Sequence, residues 1–149
     1  MDGGVGDEIT IIDNSFFSSG QAADLFYNNI RDNTDRKDAR DFVEELWQQY
    51  EPYAEPDFLE DARKDFHAKT WEMYLGCLFL EYGFNLQKKT KKEEPDLHLH
   101  WNNRSIWVEA TAPKSGTGDN AVPEYQNEVS CLPSEQIILR FTSAIQEKF

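Results

Sequence analysis

The sequence predicts a mixed α/β fold, with a three-stranded antiparallel sheet flanked by helices and preceded by an all-helical N-terminal region. Three observations carry this expectation. Two runs of alternating apolar and polar residues, within 95–111, flank Asn102-Asn103. Residues 36–50 and 68–82 repeat their apolar side chains at the helical period. Gly and Pro residues punctuate the segments between the periodic stretches.

In chain order, residues 1–17 read as a flexible or strand-like lead. Residues 19–32 suit a helix with Ala22, Phe26 and Ile30 on one stripe. The next helix, 36–50, aligns Ala39, Phe42, Val43, Leu46, Trp47 and Tyr50, and Pro52 stops it. Pro56 opens a further stretch with Phe58, Leu59, Ala62 and Phe66 that runs toward the following helix. That helix, 68–82, carries Trp71, Tyr74, Leu75, Leu78, Phe79 and Tyr82 on one face, and Gly83 suits its end. Phe84 to Gln87 is a short strand, and Lys88, Lys89, Lys91 and Lys92 form a solvated loop.

A hairpin follows. Asn tolerates the positive φ of a two-residue turn, so Leu97 faces Val108, Leu99 faces Ile106 and Trp101 faces Arg104. Leu97, Leu99, Trp101, Ile106, Val108 and Ala110 then share one face, and Asp96, His98, His100, Ser105, Trp107, Glu109 and Thr111 the other. A slip of one residue would mix the two sets, so the pattern fixes the register. Residues 112–133 form a long loop broken by Pro113, Gly116, Gly118, Pro123 and Pro133. Its Ser115–Asp119 stretch is Gly-rich but neither follows a strand nor opens a helix, so it is not a phosphate loop. Ser134 caps a last helix that buries Ile137, Ile138, Phe141, Ile145 and Phe149.

A chain of 149 residues is one ordinary domain with aromatic content ample for a core. Two cysteines, Cys77 and Cys131, do not make a disulfide framework. The acidic, Gly-rich start is unlike a signal peptide and no apolar run reaches transmembrane length. These features predict a reduced, cytoplasmic protein without a membrane contact. The net charge of −13 disfavours simple electrostatic attraction to nucleic acid. The charge is uneven: residues 1–65 hold 17 acids and 6 bases, residues 66–149 hold 11 acids and 9 bases. The acidic half could dock a basic protein partner.

In the predicted register Asp96 faces Glu109 across the hairpin. Directly opposed Cβ atoms lie about 4.5–5.5 Å apart. Two carboxylates at that spacing repel unless a cation or a proton lies between them, and a hard divalent cation suits oxygen ligands. The alternative is a wet hairpin face on which two acids happen to be opposed. His98 and His100 share this face, either as surface strand residues or, with Asp96, as ligands for Zn²⁺ or Ni²⁺.

Pro95-Asp96, followed thirteen positions later by Glu109 on the next strand, resembles the PD-(D/E)xK nuclease motif. The family core runs helix, three strands, helix, strand, and its first helix often adds an acid, which Glu72 matches. The resemblance covers 66–149 and implies a restriction-endonuclease-like core after an acidic helical region at 1–65. It implies metal-dependent phosphodiester hydrolysis of nucleic acid, DNA in the first place, with Glu72, Asp96 and Glu109 holding Mg²⁺ or Mn²⁺. Two departures stand out. Thr111 occupies the family's lysine position, leaving Lys114 and Lys148 as replacements, and the family's fourth strand is absent, as if the core were truncated or completed by Ile9–Ile12. A catalytically degenerate module of the same fold, binding protein or nucleic acid, is the second expectation.

Overall fold

The computed structural model describes residues 14–91, 93–123 and 133–147. The expected strand at Ile9–Ile12, Lys92, Cys131, Lys148 and Phe149 lie outside the described residues. The fold is mixed α/β. Helices α1 (Leu25–Asp32), α2 (Lys37–Tyr50), α3 (Phe58–Ala62) and α4 (Phe66–Glu81) precede strands β1 (Asn85–Gln87), β2 (Leu97–Trp101) and β3 (Arg104–Val108), and α5 (Ser134–Gln146) follows. The strands form one antiparallel sheet in the order β1-β2-β3.

The hairpin register is the expected one, Leu97 with Val108, Leu99 with Ile106 and Trp101 with Arg104. Its turn has φ of 47° at Asn102 and 60° at Asn103, the left-handed pair that a two-residue hairpin requires. Leu86, Leu97 and Leu99 are buried on the inner face, with Ile106 and Val108 packed beside them.

The expected helix over 19–32 begins only at Leu25. Asp24 caps it, its Oδ1 accepting from the Phe26 and Tyr27 amides. The Asn28 side chain takes both backbone groups of Ala22 and so holds the preceding segment out of the helix. Ala22 and Ile30 of the expected stripe are buried, but Tyr27 is buried in place of Phe26, which is exposed. The described end of the lead, residues 14–17, is anchored: the Glu44 carboxylate accepts from Ser15 Oγ and the Phe16 and Phe17 amides. Both rings enter the core.

α4 departs most from expectation. Trp71, Tyr74 and Tyr82 are substantially exposed, whereas Glu72, Met73, Gly76 and Cys77 are buried. The helix is apolar nearly all round, so no periodicity marks its inner side. Small residues decide the packing. A Cβ on Gly76 would lie 2.5 Å from Tyr50 Cε2, so only glycine lets the Tyr50 ring press against α4. Cys77 donates to Leu46 O at 3.3 Å, and burial pushes its thiol up to about 11. α4 ends in a Schellman motif: Gly83 has φ +79°, its amide bonds Leu80 O, and the Phe84 amide bonds Phe79 O. The stretch from Phe58 does not run into α4, because Arg63–Asp65 separate them and Asp65 caps the new helix through the Ala68 amide.

The core is continuous from Phe16 to Leu99, joining the helical and hairpin halves. On α5 the expectation of a buried stripe is wrong: Ile138, Phe141 and Ile145 are exposed, and no described residue of this helix is buried. An amphipathic pattern identifies an apolar side but not whether a neighbour covers it. Ser134 is the first helical residue rather than the cap, and Pro133 stands at the cap position without a side-chain bond.

Candidate functional site

Separate segments bring their charged groups to the junction of α4 and the sheet. Tyr50 closes α2, and Glu55 lies in the turn after it. Lys69 and Glu72 are three residues apart on α4, a spacing that puts them on one side of a helix. Lys89 follows β1, its amide bonded to Tyr53 O, and Asp96 immediately precedes β2.

Their side chains form a chain of ion pairs. Lys69 Nζ lies 2.8 Å from Glu55 Oε1 and 2.8 Å from Glu72 Oε2. Lys89 Nζ lies 3.4 Å from Glu55 Oε2 and 3.9 Å from Asp96 Oδ1. Tyr50 OH donates to Glu72 Oε1 at 3.0 Å. The second oxygen of Asp96 accepts from the Ala110 amide at 2.8 Å. The Glu72 side chain is 3% exposed, and those of Glu55 and Lys89 are 7% and 8% exposed. Three carboxylates thus share two ammonium groups in a space nearly closed to water.

The electrostatics follow from that imbalance. Burial lifts the Glu72 carboxyl above its ordinary range and the nearby Asp96 charge adds to this, while Lys69 and the Tyr50 hydroxyl pull it back. Burial opposes the charge on Lys69, but Glu72 and Glu55 outweigh it and hold the ammonium well above its usual value. The Tyr50 phenol is raised by burial and by the Glu72 charge, so it remains a donor.

The predicted site residues divide. Glu72 and Asp96 join the same cluster. Glu109 lies exposed just beyond β3, one position past the last paired residues, Leu97 and Val108. Lys114 is 71% exposed and pairs with Asp65 at 2.6 Å, while Lys148 is outside the described residues. His98 and His100 pack against each other, ring centroids 4.7 Å apart, and His98 stacks on Trp107. Among the described residues, no group of three or more His, Cys, Asp or Glu side chains stands at metal-ligand geometry.

Sequence reasoning missed Glu55, Lys69, Lys89 and Tyr50. The Lys69–Glu72 spacing was a readable signal. Lys89 was expected in a solvated cluster, yet it is buried while Lys88 and Lys91 are exposed. Its partners come from distant segments, and no local pattern announces them. Among the described residues, no helix is long and apolar enough to cross a membrane. No family model, no curated protein and no solved structure matches this chain.

Proposed function

We propose that the chain is a nuclease-like protein that hydrolyses phosphodiesters with Mg²⁺ or Mn²⁺ at Asp96 and Glu109, on a restriction-endonuclease-like core. One observation carries this reading. A buried acid from α4 and two lysines converge with the Pro95-Asp96 corner of a three-stranded antiparallel sheet. The order helix, three strands, helix is the one the motif resemblance implies.

The donor chemistry suits a hard cation, since Asp96 and Glu109 offer carboxylate oxygens. Such a cation supplies Lewis acidity toward a phosphate oxygen and lowers the pKa of water. The protein's own residues do the rest. Ala110 N–H fixes one Asp96 oxygen, and a cation bound at Oδ1 would compete with Lys89 there. Glu72 is a supporting group rather than a ligand, because Lys69 and Tyr50 occupy its two oxygens. Lys89, 3.9 Å from Asp96 Oδ1, is a positioning residue that supplies the positive charge Thr111 lacks.

A second reading is favoured by those same internal ion pairs: a catalytically degenerate module in which lysines neutralise the carboxylates permanently and the fold serves a protein or nucleic-acid partner. Metal separates the two. At 100 times its Kd, a cation bound only by the folded state adds about 2.7 kcal/mol. Wild type should melt higher in Mn²⁺ and cleave oligonucleotide or plasmid substrates. Asp96→Asn should lose both responses. Lys89→Met should bind Mn²⁺ more tightly but cleave more slowly, with partial rescue by Lys89→Arg. A wild-type protein with neither response would leave the degenerate module as the better account.

A further inference from the structure

Two exposed apolar surfaces lie outside the candidate site and adjoin each other. The first is a groove of about 340 Å³ where α2 meets α4, lined chiefly by Phe42, Leu46, Phe66, Trp71 and Tyr74. Trp71 stacks on Tyr74 with ring centroids 5.7 Å apart, and Phe42 approaches Tyr74 at 6.4 Å. Phe42, Trp71 and Tyr74 are 38–49% exposed. The second surface is the outer side of α5. There Ile138, Phe141 and Ile145 fall on one row, at i, i+3 and i+7, and are 53–60% exposed. Trp71 and Phe141 line the same cleft of about 660 Å³, so groove and row stand side by side. Arg140 Nε bonds Lys114 O at 2.8 Å and so ties α5 to the chain that leaves β3 rather than to the groove.

Shape, charge and area together indicate the occupant. A groove between two packed helices receives the side-chain ridge of a third, and an i, i+3, i+7 apolar row is such a ridge. Among the described residues no Asp, Glu, Lys or Arg lines the groove or interrupts the row. The rim is acidic, since exposed Asp38 and Glu45 lie about one turn on either side of Phe42. A foreign basic helix would suit that rim but would leave the α5 row bare. A second copy of this chain supplies the missing partner of each surface, its α5 for the groove and its groove for α5, as a two-fold isologous contact requires. At about 150–250 Å² per aromatic side chain and somewhat less per isoleucine, the six exposed side chains leave roughly 500 Å² of apolar area on each copy. A standard interface buries about 800 Å² per partner, of which about 55–65% is apolar, so the two areas agree.

We propose that the chain forms a symmetric homodimer in which α5 of each copy lies in the α2–α4 groove of the other. The net charge of −13 on each copy opposes association, so apolar burial carries the contact. The inference does not depend on catalysis and applies equally to an active nuclease and to a degenerate module.

The test is analytical ultracentrifugation of the full chain over a range of concentrations. Wild type should pass from monomer to dimer below about 200 µM. Raising the salt from about 0.05 to 0.3 M should tighten the dimer, because it screens like charges. Phe42→Gln in the groove and Ile138→Gln on the row are uncharged, helix-compatible changes at exposed positions. Each occurs twice in the dimer and should raise the dissociation constant about 10-fold or more. Mixed in equal amounts, the two variants should associate more tightly than either alone, because the heterodimer keeps one intact groove–helix contact; a variant that merely folds poorly gains nothing from mixing. Trp107→Ala, at an exposed position on the sheet, should dimerise as wild type does. A chain that stays monomeric, a dimer weakened by salt, single variants that dimerise normally, or a mixture no tighter than its components would each overturn the proposal.

Discussion

Replacing Lys69 by methionine removes one charge from the cluster and keeps most of the side-chain volume. The ammonium is the nearest counter-charge to both Glu55 and Glu72, at 2.8 Å from each. It also lies 5.0 Å from the centroid of the Phe58 ring. Without it, Glu72 keeps only the Tyr50 hydroxyl, and Glu55 keeps Lys89 at 3.4 Å. Breaking a buried pair by removing one partner costs about 3–5 kcal/mol, because the remaining charge is neither solvated nor paired. Here two carboxylates are left, so the upper part of that range is expected. For a chain of this size the loss corresponds to a fall in melting temperature of roughly 6–20 °C. Urea unfolding at pH 7 measures it directly. Lys69→Met combined with Glu72→Gln should recover a large share, since the second change removes the stranded charge. A single-variant cost below about 1 kcal/mol, or a double variant no better than the single one, would show that the cluster is solvated and that its distances carry no energetic weight.

Three further outcomes follow from the geometry. Gly76→Ala should cost about 1–3 kcal/mol in urea unfolding, because the new methyl would stand 2.5 Å from the Tyr50 ring; an unchanged midpoint would mean that α2 and α4 separate freely. Asn103→Val should destabilise by about 1–2 kcal/mol because φ is +60° there, whereas Asn103→Gly should be neutral or better, as urea titration of both variants would show. Glu72 is raised above the ordinary value of 4.5 by burial, so folding takes up a proton. Its ionised form therefore lowers stability at neutral pH, and that penalty is relieved as pH falls through the raised value toward 4.5. Glu72→Gln should flatten this part of the pH profile of urea midpoints, and an identical slope in both proteins would refute the assignment.

The hairpin was legible because its register depends on alternation and on two asparagines, both local properties. The extents of α2 and the end of α4 were legible for similar reasons, through Pro52 and Gly83. The inner face of α4 was not, since apolar residues surround the helix and the choice fell to Gly76, whose role depends on a tyrosine 26 positions earlier. Asp96 and Glu72 could be picked out by a motif resemblance. The lysines beside them could not, because Lys89 meets Glu55 and Asp96 only after β1 has brought the chain back past the end of α2. The long apolar side of α5 was visible in sequence, but its exposure depends on which elements stand next to it.

Asp96 has few lone pairs to spare. One of its oxygens is tied to the Ala110 amide, and the other faces Lys89. A cation that takes a single oxygen can displace Lys89 and leave the chain path after β3 undisturbed. A cation that takes both must also release Ala110, and with it the polypeptide that leads from Glu109 toward Thr111 and Lys114. Whether this aspartate binds with one tooth or two therefore decides whether ion binding is a local exchange of charges or a mechanical event felt along the outgoing loop.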